Sequence, residues 1–121
     1  MNKVLLTGFI SKDPEIKTAS SGVKIARFTI AVKRRFKSEN GEYNSDFFNC
    51  TAFRTGAEFI EKYLGNGSRV AVAGKLENRT YEANGEKKYF TEIVVDEIEG
   101  QSKDNGDKVK LTPVDDEEIP F

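Results

Sequence analysis

The chain is 121 residues long, 37% hydrophobic and 32% charged, with a formal net charge of −1, one cysteine, no histidine and no tryptophan. That length suits one ordinary domain and not comfortably two, and the polar composition predicts a small core plus a disordered piece. Lacking histidine and carrying only Cys50, the chain excludes a Ser-His or Cys-His catalytic pair, a Cys/His zinc site and an internal disulfide.

No apolar run approaches the roughly 18 residues of a membrane span. Met1 to Leu6 lacks a signal peptide's long apolar stretch and cleavage site. A cytoplasmic protein is expected, with Cys50 a reduced thiol in the core. Charge is uneven: residues 1–100 carry 16 Lys/Arg and 14 Asp/Glu, a net +2, and residues 101–121 carry 3 and 6, a net −3. Residues 16–38 hold seven basic side chains and no acid. An acidic tail can therefore mask a basic surface on the folded part.

Residues 2–10 are aliphatic and β-branched and predict a strand, with Gly8 marking a bulge or a bend. Asp13-Pro14 and Ser20-Ser21-Gly22 predict a loop over 11–22 with one short extended piece. Residues 23–35 alternate cleanly: Ala26, Phe28, Ile30 and Val32 share one face, and Arg27, Thr29, Lys33 and Arg35 share the other. That pattern is a strand with a buried face and a wet, basic one. Asn40-Gly41 predicts a two-residue hairpin. Strand 46–54 puts Phe48, Cys50 and Ala52 on one face and Phe47, Asn49, Thr51 and Phe53 on the other, so an aromatic is left outside whichever face is inside.

Residues 55–64 switch to helical spacing, with Ala57, Ile60 and Leu64 in one stripe, a Thr55/Glu58 capping box and a Gly65-Asn66-Gly67 stop. Strand 69–81 sets Val70, Val72 and Leu76 against Lys75, Arg79 and Tyr81. Asn84-Gly85 predicts a second tight hairpin, and strand 87–98 has no clean parity. From Gly100 onward, scattered charge and turn formers predict a flexible tail. Five strands with one helix between the third and fourth match the Greek-key OB-fold barrel, an all-β class; an SH3-like barrel would not usually hold a full helix there. The domain reading is 1–100 as the barrel and 101–121 as the tail.

The alternation projects Arg27, Lys33, Arg35, Phe47, Phe53, Lys75, Arg79 and Tyr81 from the non-core side of three strands, with Phe36 where the first hairpin begins. Unpaired nucleobases offer flat π-faces and their phosphates regular negative charge, so interleaved rings and cations suit single-stranded nucleic acid. Phe36, Phe47, Phe53 and Tyr81 are the stacking candidates. Lys33, Arg34, Arg35, Arg54, Lys75 and Arg79 are the phosphate-contact candidates. Asp115, Asp116, Glu117 and Glu118 followed by Ile119, Pro120 and Phe121 form a compact peptide ligand, with an apolar anchor for a basic-rimmed pocket and acids that steer the encounter. The carboxylates Asp13/Glu15 and Asp96/Glu97/Glu99 lack a third partner at metal-site spacing, so no metal, no cofactor and no enzyme activity is expected.

Asn2-Lys3-Val4-Leu5-Leu6-Thr7-Gly8 with Asp13-Pro14-Glu15, then Asp46 to Arg54 through Ala57-Glu58 and Tyr63-Leu64, then Gly74-Lys75-Leu76 through Arg79-Thr80-Tyr81, and the terminus Asp115 to Phe121, resemble the bacterial single-stranded DNA-binding protein family from end to end. The family's stacking aromatics fall where Phe36, Phe47, Phe53 and Tyr81 stand. The resemblance implies a homotetramer that wraps DNA, a nucleoid-associated location, and a tail that recruits replication, repair and recombination proteins through Phe121. Family members commonly use tryptophan at several stacking positions and a longer linker; here roughly 14 residues separate Gly100 from Asp115, which limits reach. A short-tailed, tryptophan-free member suits a phage, a mobile element or a second chromosomal copy. The alternatives are an OB-fold interaction subunit of the primosome type and an RNA-binding barrel of the cold-shock type.

Overall fold

A computed structural model describes residues 1–111. Among the described residues, seven strands and one helix follow in chain order: β1 (Val4–Ile10), β2 (Glu15–Thr18), β3 (Lys24–Lys37), β4 (Tyr43–Phe53), α1 (Thr55–Tyr63), β5 (Arg69–Ala83), β6 (Glu86–Gln101) and β7 (Lys108–Leu111). The five long strands close a barrel in the order β1-β5-β6-β4-β3, and β3 returns to β1 through Phe9↔Ala31 and Ile10↔Ile30. Every neighbouring pair is antiparallel except β4 and β6, which run parallel over Cys50↔Ile93 and Thr51↔Val94. This is the expected five-stranded OB-fold barrel with a helix between its third and fourth long strands. The short β2 pairs on β3, and β7 pairs on β6.

The clean alternation of residues 23–35 has its physical origin in that barrel. Ala26, Phe28 and Ile30 are buried and stand opposite Ala52, Cys50 and Phe48 of β4, so one face of the hairpin is core. Helix α1 packs on β3, β4, β6 and β7 and delivers Ala57, Ile60 and the following Leu64 into the same core. Full burial of an aliphatic side chain such as Ile60 contributes about 2 kcal/mol. Val70, Val72, Ile93 and Ile98 complete the interior.

Several local expectations need correction. Gly8 is not at a bulge: its register with Val70 is continuous, and a Cβ there would meet the Ala31 carbonyl oxygen at 2.3 Å. Glycine is needed where β1 passes from β5 to β3. Asn40-Gly41 is not a two-residue turn, because β3 ends at Lys37 and β4 starts at Tyr43; Ser38 and Glu42 close a longer loop, the Ser38 N–H donating to the Glu42 carbonyl at 2.7 Å. Asn84-Gly85 is the tight hairpin expected, with both residues at positive φ between the paired Ala83 and Glu86. Thr55 is not a capping residue. Arg54 occupies the cap at φ 54°, no side chain closes it, and Thr55 is already helical.

The ordered sheet also runs past Gly100, where the sequence reading starts a flexible tail. β6 continues to Gln101, and β7 adds four more residues, half-burying Val109 and Leu111 against the core. Between them, Lys103 binds the end of the helix, its N–H donating to the Tyr63 carbonyl at 2.7 Å and its Nζ to the Glu61 carbonyl at 2.8 Å. Carbonyls at a helix C-terminus lack intrahelical partners, and a lysine satisfies them well. The acidic tip, Asp115 to Phe121, lies outside the described residues. Among the described residues no helix is long and apolar enough to cross a membrane.

Candidate nucleic-acid interface

The outer face of the sheet is set by register. Arg27 stands opposite Thr51, Thr51 opposite Val94, and Val94 opposite Lys75, so one row crosses β3, β4, β6 and β5 without a break. Residues in step with that row share the face. On β3 these are Arg27 and Lys33; on β4, Phe47, Asn49, Thr51 and Phe53; on β5, Lys75, Arg79 and Tyr81; on β6, Lys88, Phe90 and Glu92. The strand alternation therefore puts Phe47, Phe53 and Tyr81 outside the barrel together, as the sequence reading expects.

Phe47 is 64% exposed, Tyr81 is 50% exposed and Phe53 is half-buried. Six residue steps along β4 lead from Phe47 to Phe53, a span of about 20 Å at strand rise. Tyr81 lies at the far end of β5, where the β5–β6 hairpin projects beyond the barrel. Its ring meets Phe90 edge-on, with centroids 6.2 Å apart and planes at 70°. Such a pair holds both rings in place. Phe36 is 84% exposed and sits in the irregular stretch where β3 gains residues relative to β4 between Lys33 and Lys37.

The six candidate cations are not alike. Lys33 lies over the Tyr43 ring, 4.9 Å from its centroid, on the outer face, and Arg35 is exposed beyond it. Arg34 grips Asp46 through its Nε at 3.0 Å and its Nη2 at 2.8 Å. Asp46 is on the core parity of β4, so Arg34 lies across the sheet from Phe47. Their hydrogen bonds lower the Asp46 pKa and raise that of Arg34, each with the Coulomb attraction adding to it. Arg54 is half-buried beside the cleft between the β2–β3 turn and α1, and its Nε is buried with no hydrogen-bond partner among the described residues. Lys75 approaches Glu77 at 3.4 Å. Arg79 donates through Nε to the buried Glu92. Arg27 is exposed and makes no ion pair among the described residues.

A cleft of about 350 Å³ opens on this face, lined by Lys12, Asp13 and Glu15 on one side and by Arg27, Asn49, Phe90 and Glu92 on the other. The loop that rims it is pinned by Asp13, whose Oδ1 accepts from the Asn66 N–H at 2.9 Å. Behind the sheet, Cys50 is a core residue with its thiol pushed up to about 12, by burial first and by the Glu92 charge second.

Phe90, Lys88 and Glu92 escaped the sequence reading. The register shifts by one at Ala73/Gly74, where Ala73 pairs with Glu97 and Gly74 with Val95, leaving Asp96 as the extra residue. Ile93 and Val95 face inward before the bulge and Ile98 after it, so no single parity spans the strand.

Residues 1–101 match the single-strand binding protein family. The chain is 42% identical over 108 residues to "Single-stranded DNA-binding protein 1" of Staphylococcus aureus (strain MSSA476), covering 88% of this chain and 69% of that protein. It is 43% identical over 108 residues to "Single-stranded DNA-binding protein 3" of Listeria innocua serovar 6a, covering 88% and 68%. Against "Single-stranded DNA-binding protein 1" of Staphylococcus aureus (strain COL), 43% identity over 100 residues spans 82% of this chain but 60% of that protein. Among solved structures, the Plasmodium falciparum SSB in complex with ssDNA aligns with a TM-score of 0.70 and 30% identity, covering 92% of this chain and 95% of that one.

Proposed function

Since the chain belongs to the single-strand binding protein family, we propose that it binds single-stranded DNA with little regard to base sequence and has no catalytic activity of its own. The observation that carries the reading is the outer sheet face, where Phe47, Phe53 and Tyr81 are interleaved with Arg27, Lys33 and Lys75. Rings accept any base by stacking, worth about 1–3 kcal/mol each, and cations release counterions from the backbone. Phe36 and Arg35 extend the face along the β3–β4 hairpin, and Arg54 lies beside its Phe53 end.

In this reading the protein coats and protects strands exposed in DNA replication, repair and recombination. It assembles as a homotetramer in the cytoplasm, and the tip from Asp115 to Phe121 recruits the proteins that process the coated strand. Titration of oligo-dT, duplex and oligo-rU at several salt concentrations, with the mass of each complex, tests the core of it. Preferential oligo-dT binding is expected, with log K falling against log salt by about 0.7 for each phosphate neutralised. Weak, salt-insensitive binding to all three would point instead to a protein-interaction subunit. Deleting Ile119, Pro120 and Phe121 should spare DNA binding and abolish capture of partner proteins; loss of DNA binding would refute the role given to the tip.

A further inference from the structure

Glu92 is an unexpected residue to find on a face that receives a polyanion. It is 2% exposed, in the middle of the outer face, and held from two sides. The Thr51 hydroxyl donates to its Oε2 at 2.5 Å, and Arg79 Nε donates to its Oε1. Thr51, on the neighbouring β4, is itself 2% exposed, whereas Arg79, on β5 at the other side, is 41% exposed, so Arg79 is the partner that reaches solvent. A buried carboxylate without a partner is strongly unfavourable, which ties the Arg79 charge to Glu92.

Two consequences follow for a strand lying on this face. A phosphate drawn to Arg79 would also meet the Glu92 carboxylate behind it, so the pair offers little net attraction. The Arg79 side chain is nevertheless 41% exposed, and it stands in register opposite Phe90 and two residues from Tyr81 on the same face. A guanidinium held by its Nε beside two rings is a flat, pre-ordered surface, and bases stack on guanidinium planes as they do on aromatic ones.

We propose that Arg79 is a base-stacking plane rather than a phosphate anchor, and that Glu92 is the positioning residue that holds it beside Tyr81 and Phe90. The proposal rests on the single-strand binding reading above and deepens it. It separates two kinds of cation on one face: Arg27 and Lys33 act through charge, and Arg79 through shape. Lysine cannot replace arginine in such a role, because an ammonium has no plane.

The test is oligo-dT binding by the full chain at four or more salt concentrations for the parent, Arg79→Ala, Arg79→Lys and Glu92→Gln, with a thermal melt of each. Arg79→Lys, which keeps the charge, should weaken binding by roughly 5- to 150-fold with the salt slope unchanged, and Arg79→Ala, which also bares the Glu92 charge, should weaken it at least as much. Glu92→Gln, which leaves the Arg79 charge unopposed, should steepen the slope by up to about 0.7. Should Glu92→Gln fail to fold, Arg79→Lys decides alone, because it keeps a cation against the buried carboxylate and alters a partly exposed side chain. Arg79→Lys binding like the parent, while Arg79→Ala binds more weakly, would overturn the stacking role and make Arg79 a point-charge phosphate contact. A parent that ignores oligo-dT at every salt would remove the binding reading itself, whereas a parent that binds while Arg79→Lys matches it removes only this inference.

Discussion

Phe47 and Phe48 are adjacent in sequence and opposite in consequence. Phe47 faces outward opposite Ala31, and Phe48 faces the core side opposite Ile30. Phe47 keeps 64% of its surface exposed, so only about a third of it packs on the protein. A phenylalanine offers roughly 150–250 Å². At about 25 cal/mol per Å², truncation to alanine costs about 1–2 kcal/mol of stability at most. Its loss from binding is the stacking itself, about 1–3 kcal/mol, or 5- to 150-fold in Kd, with an unchanged salt slope because no charge is lost. Phe48→Ala should do the reverse: a lower Tm, with near-parental affinity at a temperature where the variant is folded. Fluorescence anisotropy with labelled oligo-dT, alongside thermal melts, reads both quantities on the same samples. Phe47→Ala binding like the parent while Phe48→Ala loses affinity would mean that the outer and inner faces of β4 have been exchanged, and the whole interface would go with them.

Three other outcomes are expected. Gly74→Ala puts a Cβ 2.2 Å from the Val94 carbonyl oxygen, so the β5–β6 ladder must shift, at a cost of about 2–3 kcal/mol by chemical denaturation; an unchanged midpoint would contradict the close approach. Cys50, with its folded pKa raised from 9.0 to about 12, should ignore thiol reagents until the protein unfolds. The unfolded thiol loses its proton first, so this contribution to stability is intact below pH 9 and is lost on the way to pH 12, by at most about 1.4 kcal/mol per pH unit; a Cys50→Ala variant should lack that fraction of the alkaline decline. Ending the chain at Gln101 removes the packing of Val109 and Leu111 and should cost about 2–3 kcal/mol relative to a chain ending at Leu111; identical melts would show that β7 adds nothing.

What could be read without coordinates followed the strength of the local signal. β3 was legible because Ala26, Phe28, Ile30 and Val32 alternate without interruption along a strand whose other face is wet. β4 defies assignment by hydrophobicity alone, since both its faces carry aromatics; alternation groups Phe47 with Phe53, and the register of Thr51 opposite Arg27 fixes their face as the outer one. β6 was opaque because one extra residue, Asp96, reverses the parity midway and because Glu92 and Val94 are buried on the outer face. β7 was missed since Lys108-Val109-Lys110-Leu111 is short and half charged; its place comes from the β6 ladder, which no local propensity announces. Arg54 disguised the helix start, because a non-glycine residue at φ 54° makes the turn that a capping threonine was expected to make. The stacking rings were recoverable from alternation, but the pairing of Arg79 with Glu92 was not. It depends on which side of an irregular strand the acid falls.

The parallel seam and the closure of β1 on β5 bear on how the chain acquires its shape during synthesis. Val4 pairs with Gly74, so the first strand must wait for 70 further residues before its long partner exists. At translation speeds of about 5–20 residues per second, that interval is roughly 4–14 s. β3 can meet only Phe9 and Ile10 in that time, so Val4 to Gly8 stay an unmated ribbon, a nascent stretch suited to chaperone capture or to mispairing between neighbours on one messenger.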